Sequence, residues 1–182
     1  MVLYFITGNK NKFFEVEKML QPEIKLEQLE LDLDEIQSID SNEVIKHKLL
    51  EAQKKHKGEF IIDDSAVCLD ALNGLPGPFI KFFLKEMGVG GIYNLTNKMG
   101  VSSAKTRVII GYSKEKEILF FEAETKGDIV SPRGQGNFGF DPIFRPSGFD
   151  KTFAEMEVEE KLKISSRKKA TQKFKEYYLS KK

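Results

Sequence analysis

"GQGNFGFDP", residues 134–142, matches G-x-G-x-x-G at Gly134, Gly136 and Gly139. As a dinucleotide fingerprint it would follow a strand, open a helix and imply a doubly wound parallel sheet. Its flanks argue otherwise. Pro132 stands just before the glycines, and Asp141-Pro142 closes the stretch. A residue preceding proline is pushed out of helical geometry, so no helix opens cleanly there. The match also falls late in the chain, behind a pair of apolar strand patterns. It is therefore read as a loop that carries Phe138, Phe140 and Asp141. Its aromatics either pin the loop to the core or offer a stacking face for a base, worth about 1–3 kcal/mol per base. Anchoring is the simpler of the two readings.

Working back from that loop, "TRVIIGYS" and "ILFFEAETKGDIV" are strand patterns around a charged turn at Lys114 to Glu117, which predicts an antiparallel hairpin. Earlier, "VLYFIT" (residues 2–7) is short, apolar and rich in β-branched or aromatic residues, as a buried strand is. "GNK" interrupts it. Phe13, Val16, Met19 and Leu20 then recur at helical spacing, with Asn9 as N-cap and Pro22 as the stop. "IKLEQLELDLDEI" reads as extended and acidic. A second helix follows Asp40 or Ser41, with Ile45, Leu49 and Ala52 on one face and Gly58 beyond its end. "FIIDDSAVCLDAL" reads as a buried strand, a polar interruption and a second extended piece. "NGLPGP" is turn chemistry. "FIKFFLKEMG" and "IYNLTNKMG" are two further helices, and "SPRGQGNFGFDPIFRPSG" is one long loop. "SSRKKATQKFKEYYL" is a last helix with Ala170, Phe174, Tyr177 and Tyr178 inward. Helices alternate with strands early and a hairpin comes late. The expected class is α/β, with a mixed central β-sheet flanked by helices.

The chain has 182 residues, enough for one domain or one domain with two lobes, and enough to bury a core. Its net charge is +1, and only the tail from Lys168 onward leans basic. A nucleic-acid-binding protein shows more positive charge, so no nucleic-acid partner is expected. Cys68 is the only cysteine. It excludes an internal disulfide, fits a reducing compartment and reads as a small core residue. The opening "MVLYFITGNK" has neither the charged nor the long apolar region of a signal peptide. No apolar run approaches the roughly 20 residues of a membrane span. A cytoplasmic protein without a membrane partner is expected.

Three further places could carry chemistry. "TGNKNKFFE" sets small and amide residues where a buried strand gives way to a helix. Backbone N–H groups and the helix dipole there favour an anion, and Lys10 and Lys12 add positive charge. Plain capping by Asn9 is the alternative, and the Walker pattern is absent. "IIDDS" puts Asp63 and Asp64 at a strand end. Consecutive strand residues face opposite ways, so one points toward a ligand and the other away. Such a carboxylate can hold Mg²⁺ with phosphate oxygens or take a proton from water. Glu35, within "LDLDEIQ", is a possible partner carboxylate. "EEKLKISSRKKA" offers Lys161 and Arg167 around a helix start capped by Ser165 or Ser166. His47 and His56 are too isolated for a zinc site, and His47 is expected to face solvent. Together these features suggest a nucleotide polyphosphate bound with a divalent metal.

The motifs also resemble, in order, those of the inosine triphosphate pyrophosphatases, the Ham1-like non-canonical purine nucleoside triphosphate pyrophosphatases. "TGNKNKFFE" is similar to the opening T-G-N-x-x-K-x-x-E. "DDSAVCLDALNGLPGPFIKFF" is similar to the E-D-[ST]…L-x-G-x-P-G segment. "GNFGFDPIFRPSG" is similar to the F-G-[FW]-D-P-x-F loop, and "TFAEMEVEEKLKISSRKKA" to the T-[FY]-A-E-M…E-K…S-H-R block. The resemblance runs from residue 7 to residue 170. It implies the reaction NTP + H₂O → NMP + pyrophosphate, dependent on Mg²⁺ with Mn²⁺ possible, on ITP, dITP and XTP. It implies one ITPase-like domain over residues 1–182, elongated and two-lobed as in the ITPase and Maf-like proteins, with a cleft between the lobes, and a homodimer. It implies that Thr7, Gly8, Asn9, Lys10 and Lys12 meet the triphosphate, with Lys12 also assisting catalysis. Glu35 and Asp64 would hold metal, and Asp64 would activate the attacking water. Ser65 would touch substrate. Phe138 would stack on the purine in a pocket shaped by Gly139, Phe140 and Asp141. Lys161, Ser166 and Arg167 would meet the phosphate or base. This chain departs from the pattern at Ser166 for histidine, Asp63 for glutamate and Ala66 for glycine. Two alternatives share the motifs' chemistry: a Maf-like pyrophosphatase for dTTP, UTP or modified nucleotides, and a non-catalytic nucleotide sensor.

Overall fold

The computed structural model describes residues 2–135 and 138–181. Seven strands form one mixed sheet in the order β2-β1-β3-β5-β6-β7, with β4 paired to β3 off that path. The strands are β1 (Leu3–Ile6), β2 (Leu26–Leu29), β3 (Glu59–Leu69), β4 (Pro76–Gly77), β5 (Ser103–Lys114), β6 (Glu117–Ile129) and β7 (Phe144–Pro146). The helices are α1 (Lys10–Leu20), α2 (Ser41–Lys55), α3 (Ile80–Met99), α4 (Val158–Ile164) and α5 (Ser166–Ser180). Strand β1 runs parallel to β2, pairing Leu3 with Leu26, and parallel to β3, pairing Phe5 with Ile61. These crossovers place α1 and α2 between parallel strands. Strands β5 and β6 are neighbours joined only by Glu115 and Lys116, a connection too short for anything but a hairpin.

The chain divides into two compact units. Unit 1 comprises Met1–Asp64, Val108–Ala123 and Arg167–Lys182, and unit 2 comprises Ser65–Arg107 and Glu124–Ser166. Unit 1 has two apolar clusters. One gathers Leu3, Phe5, Val16, Leu20, Ile110 and Phe174 around α1 and α5, with Tyr112 and Tyr178 tilted against Phe174. The other sets Ile45, Leu49 and Ala52 of α2 on Ile6, Phe60 and Ile62. Each helix thus buries the stripe that its 3.6-residue period predicts. Unit 2 has its own cluster of Val67, Leu69, Ile80, Ile92, Ile143, Phe144 and Phe153.

Several elements differ from the sequence reading. β3 is a single strand through Asp63 and Asp64, and ion pairs to Lys12 and Arg167 supply inside the structure what solvent would otherwise supply to the Asp63 carboxylate. The two expected apolar helices form one helix span with a break at Gly88, whose φ of 65° is open to glycine without strain. The long loop contains β7, which pairs antiparallel with β6. α4 was not expected. His47 is half-buried rather than solvated. Cys68 is half-buried, and burial pushes its thiol pKa up, away from reactivity.

Candidate active site

The unit 1 site begins where β1 ends. The Thr7 amide donates to Leu29 O and the Thr7 carbonyl accepts from the Gln28 side chain at 2.8 Å, so β2 fixes the strand end. The Asn9 amide donates to Thr7 Oγ1 at 3.1 Å. Asn9 Oδ1 caps α1 by accepting from the Asn11 and Lys12 amides at 3.0 and 3.1 Å. Gly8, Asn9 and Lys10 are exposed there. The anion-suited turn and the capping turn are therefore the same structure. Asn9 satisfies two of the helix's free amides, and the dipole still favours negative charge in front of it.

One turn into α1, Lys12 and Glu15 share a helix face. Lys12 Nζ donates to Asp63 Oδ1 at 2.9 Å. The other oxygen, Asp63 Oδ2, accepts from Arg167 Nε at 3.1 Å, and Arg167 Nη1 reaches Glu15. Glu15, Asp63 and Arg167 are all buried. Burial alone would raise the Asp63 pKa, but Lys12 and Arg167 outweigh it and hold the carboxyl below its usual range. The Asp63 carboxylate orients Lys12.

Asp64 faces a different environment. Its Oδ2 is buried and has no hydrogen-bond partner, while the Ser41 hydroxyl at the start of α2 hydrogen-bonds to the carboxylate. Burial pushes its pKa up, against the pull of the Lys12 and Lys48 charges. Lys48 is buried too, and burial lowers its pKa despite the nearby negative charge of Asp64 and Asp63. Its ammonium pairs with Glu35. Two carboxylates, Asp64 and Glu35, thus approach one buried lysine. Among the described residues no three acidic, histidine or cysteine side chains converge as a preformed metal cluster. Mg²⁺ needs fewer, since it takes one or two carboxylates and completes its shell with water and phosphate oxygens. The unpartnered Asp64 oxygen fits that demand.

The unit 2 set is the loop of the opening motif. Gly134 has a φ of 81°, and a Cβ there would meet the Ala154 backbone at 2.7 Å. Gly139 has a φ of 56°. The glycines serve the loop's own path, as expected for a loop and not for a pyrophosphate cradle. Gly136 lies outside the described residues, as does Asn137. The Asp141 amide donates to Phe138 O and the Ile143 amide to Phe140 O, which makes a compact double turn. The two aromatics sit in different surroundings. Phe140 packs into the unit 2 core, edge-on to Phe144 at 6.2 Å. Phe138 instead carries Lys161 Nζ over its ring at 4.8 Å. That ammonium also pairs with buried Asp141 at 2.6 Å and lies 5.6 Å from the Phe153 ring. Ser65 is half-buried on β3.

The model of the Ham1 family matches residues 3–177. The chain belongs to the Ham1 family. Similar Ham1-type relatives cover nearly the whole chain. The inosine triphosphate pyrophosphatase of Neurospora crassa is 42% identical over 179 residues, spanning 97% of this chain and 92% of the relative. That of Pyricularia oryzae is 40% identical over 176 residues, spanning 96% and 92%. The Ham1 protein of Staphylococcus aureus superposes with a TM-score of 0.81 at 25% identity, with both chains covered completely. A HAM1 protein from Coxiella burnetii shares the fold, with a TM-score of 0.82 at 21% identity over 99% of this chain and 100% of that one.

Two of the residues expected to meet substrate, Ser166 and Arg167, are buried. Arg167 is buried between Asp63 and Glu15, so its charge is already committed. Ser166 is buried and hydrogen-bonded to Thr106 at 3.0 Å. Glu15, Ser41 and Lys48, which contact Arg167, Asp64 and Glu35, are not among the residues the sequence singles out. The Lys12-x-x-Glu15 spacing was the available signal for Glu15, since it sets both on one helix face. Lys48 offered none, because a lysine flanked by Lys46 and His47 reads as solvated.

Proposed function

We propose that this chain hydrolyses ITP, dITP and XTP at the α–β anhydride, giving the monophosphate and pyrophosphate. The observation that carries the reading is the buried, unpartnered Asp64 oxygen beside two lysines. A carboxylate held ready and incompletely satisfied is what a proton acceptor or a metal ligand requires. Asp64 takes the proton of the attacking water as the new P–O bond forms and the α–β bridge leaves with pyrophosphate. Lys12, oriented by Asp63, and the α1 N-terminus with Thr7, Gly8, Asn9 and Lys10 receive the phosphates. Asp64 and Glu35 hold Mg²⁺, or Mn²⁺ in its place. When bound, the ion neutralises charge developing on the phosphate oxygens. In unit 2, Phe138 stacks on the purine, Gly139, Phe140 and Asp141 shape its surroundings, and Lys161 supplies a cation. Ser65 touches substrate. Arg167 and Ser166 meet the phosphate or base side of the substrate. The names of the Ham1 relatives support the substrate class. A homodimer in the cytoplasm belongs to the same reading, and light scattering on the purified protein checks its oligomeric part.

The test is a panel of ITP, XTP, GTP, ATP and dTTP, with and without Mg²⁺, assayed separately for pyrophosphate and orthophosphate. Metal-dependent pyrophosphate from ITP and XTP, lost in Asp64→Asn, is the expected result. Binding of ITP without turnover would indicate a nucleotide sensor. Release from dTTP alone would indicate a Maf-like specificity.

A further inference from the structure

The connection from β2 to α2, residues 30–40, has no regular secondary structure, yet it carries Glu35. An exposed connection of this kind is ordinarily among the most mobile parts of a domain. Here it is laced to one face of α2. Leu31 and Leu33 pack on the cluster beneath that helix, while Asp32 and Asp34 between and after them are exposed. The Asp34 amide donates to Glu51 Oε2 at 2.6 Å. Glu51 Oε1 accepts from Lys55 Nζ at 2.6 Å, and the same ammonium donates to the Asp32 carbonyl at 2.5 Å. Further along, Ser38 Oγ donates to Glu43 at 2.7 Å. Glu35 itself pairs with Lys48. Lys48, Glu51 and Lys55 follow one another at spacings of three and four that keep them on one side of α2.

Glu51 is central to this strap. One of its oxygens holds the backbone immediately before Glu35, and the other holds the lysine that grips the chain two residues earlier. We propose that Glu51 is a positioning residue of the active site. It fixes the backbone at Asp34 so that Glu35 is presented to the divalent ion, with Lys55 as its second hand. The inference rests on the reading of Glu35 as a metal ligand. Glu51 itself touches neither substrate nor metal.

Two measurements test it. Amide hydrogen exchange of residues 30–40 in the metal-free protein should speed up in Glu51→Ala and stay close to wild type in Glu51→Gln, whose amide oxygen can still accept from Asp34. Direct titration with Mn²⁺ in the presence of a non-hydrolysable ITP analogue should show affinity weakened about tenfold in Glu51→Ala, as loss of an outer-shell partner does. Glu51→Gln should recover most of it. Lys55→Met, which releases the Asp32 carbonyl and one Glu51 oxygen but keeps the Glu51–Asp34 bond, should give a smaller loss and provides a second variant if Glu51→Ala folds poorly. Glu35→Gln is titrated alongside. If it weakens Mn²⁺ binding while neither Glu51→Ala nor Lys55→Met does, the positioning role is overturned and the ligand reading stands. If Glu35→Gln leaves Mn²⁺ binding unchanged, the ligand reading fails and this inference fails with it.

Discussion

Unit 1 holds its candidate residues mainly by charge, whereas unit 2 holds its own mainly by aromatic packing. In unit 1, Lys12, Asp63, Arg167 and Glu15 form a continuous chain of ion pairs, most of it buried. In unit 2, Phe140, Phe144 and Phe153 anchor a glycine-shaped loop, and one lysine spans two rings and an aspartate. Directional pairs fix a side chain to a fraction of an ångström but leave large penalties when one member is lost. Aromatic faces tolerate small displacements. The first arrangement suits chemistry on a phosphate, and the second suits holding a planar ring.

The adjacent residues Asp63 and Asp64 give the most severe challenge to that contrast. Asp64→Asn should lower pyrophosphate release from ITP by about 10³-fold, the usual weight of a general base, without lowering the melting temperature. Asp63→Asn should be recognised chiefly by instability. Equal melting temperatures in the two variants would remove the distinction between an anchored and a poised carboxylate.

Arg167→Met should cost about 3–5 kcal/mol in urea unfolding, since it leaves Asp63 and Glu15 buried without a cation. Lys161→Met in unit 2 should cost less, about 1–3 kcal/mol, because the rings around it remain packed. A reversed order would show that the loop depends on charge as much as the strand end does. Phe138→Ala should raise KM for ITP roughly tenfold with kcat little changed, as loss of one stacking face does. The smallest expected effect concerns acid. The Asp63 carboxyl is held below its ordinary 3.8, so its stabilisation is complete above that value and is lost as pH falls below it. Asp63→Asn should be less stable at neutral pH, and its acid limb below about pH 3.8 should be flatter than wild type in a pH series of melting curves.

Much of this was legible in the sequence because it is local. Asn9 caps α1 as its position before a periodic helix predicts, and Ala170, Phe174 and Tyr178 lie inward at helical spacing. What failed was whatever depended on a distant partner. Asp63 and Asp64 are told apart by Arg167, far along the chain, and no local pattern carries that information. β3 seemed interrupted because two carboxylates inside a strand normally demand solvent, and the compensating cations come from α1 and α5. Lys48 is buried on a helix whose charged composition reads as exposed. β7 is only three residues long and is called into being by the pairing offered along β6.

The two ends of the sheet order have a consequence for how copies of this chain meet. An unpaired strand edge is a template on which another backbone can assemble. Here one terminal strand, β2, has four residues and follows the exposed Lys25, while the other, β7, has three and ends in Pro146. Such short edges, one closed by a residue with no amide hydrogen, leave little template for strand addition or fibril growth.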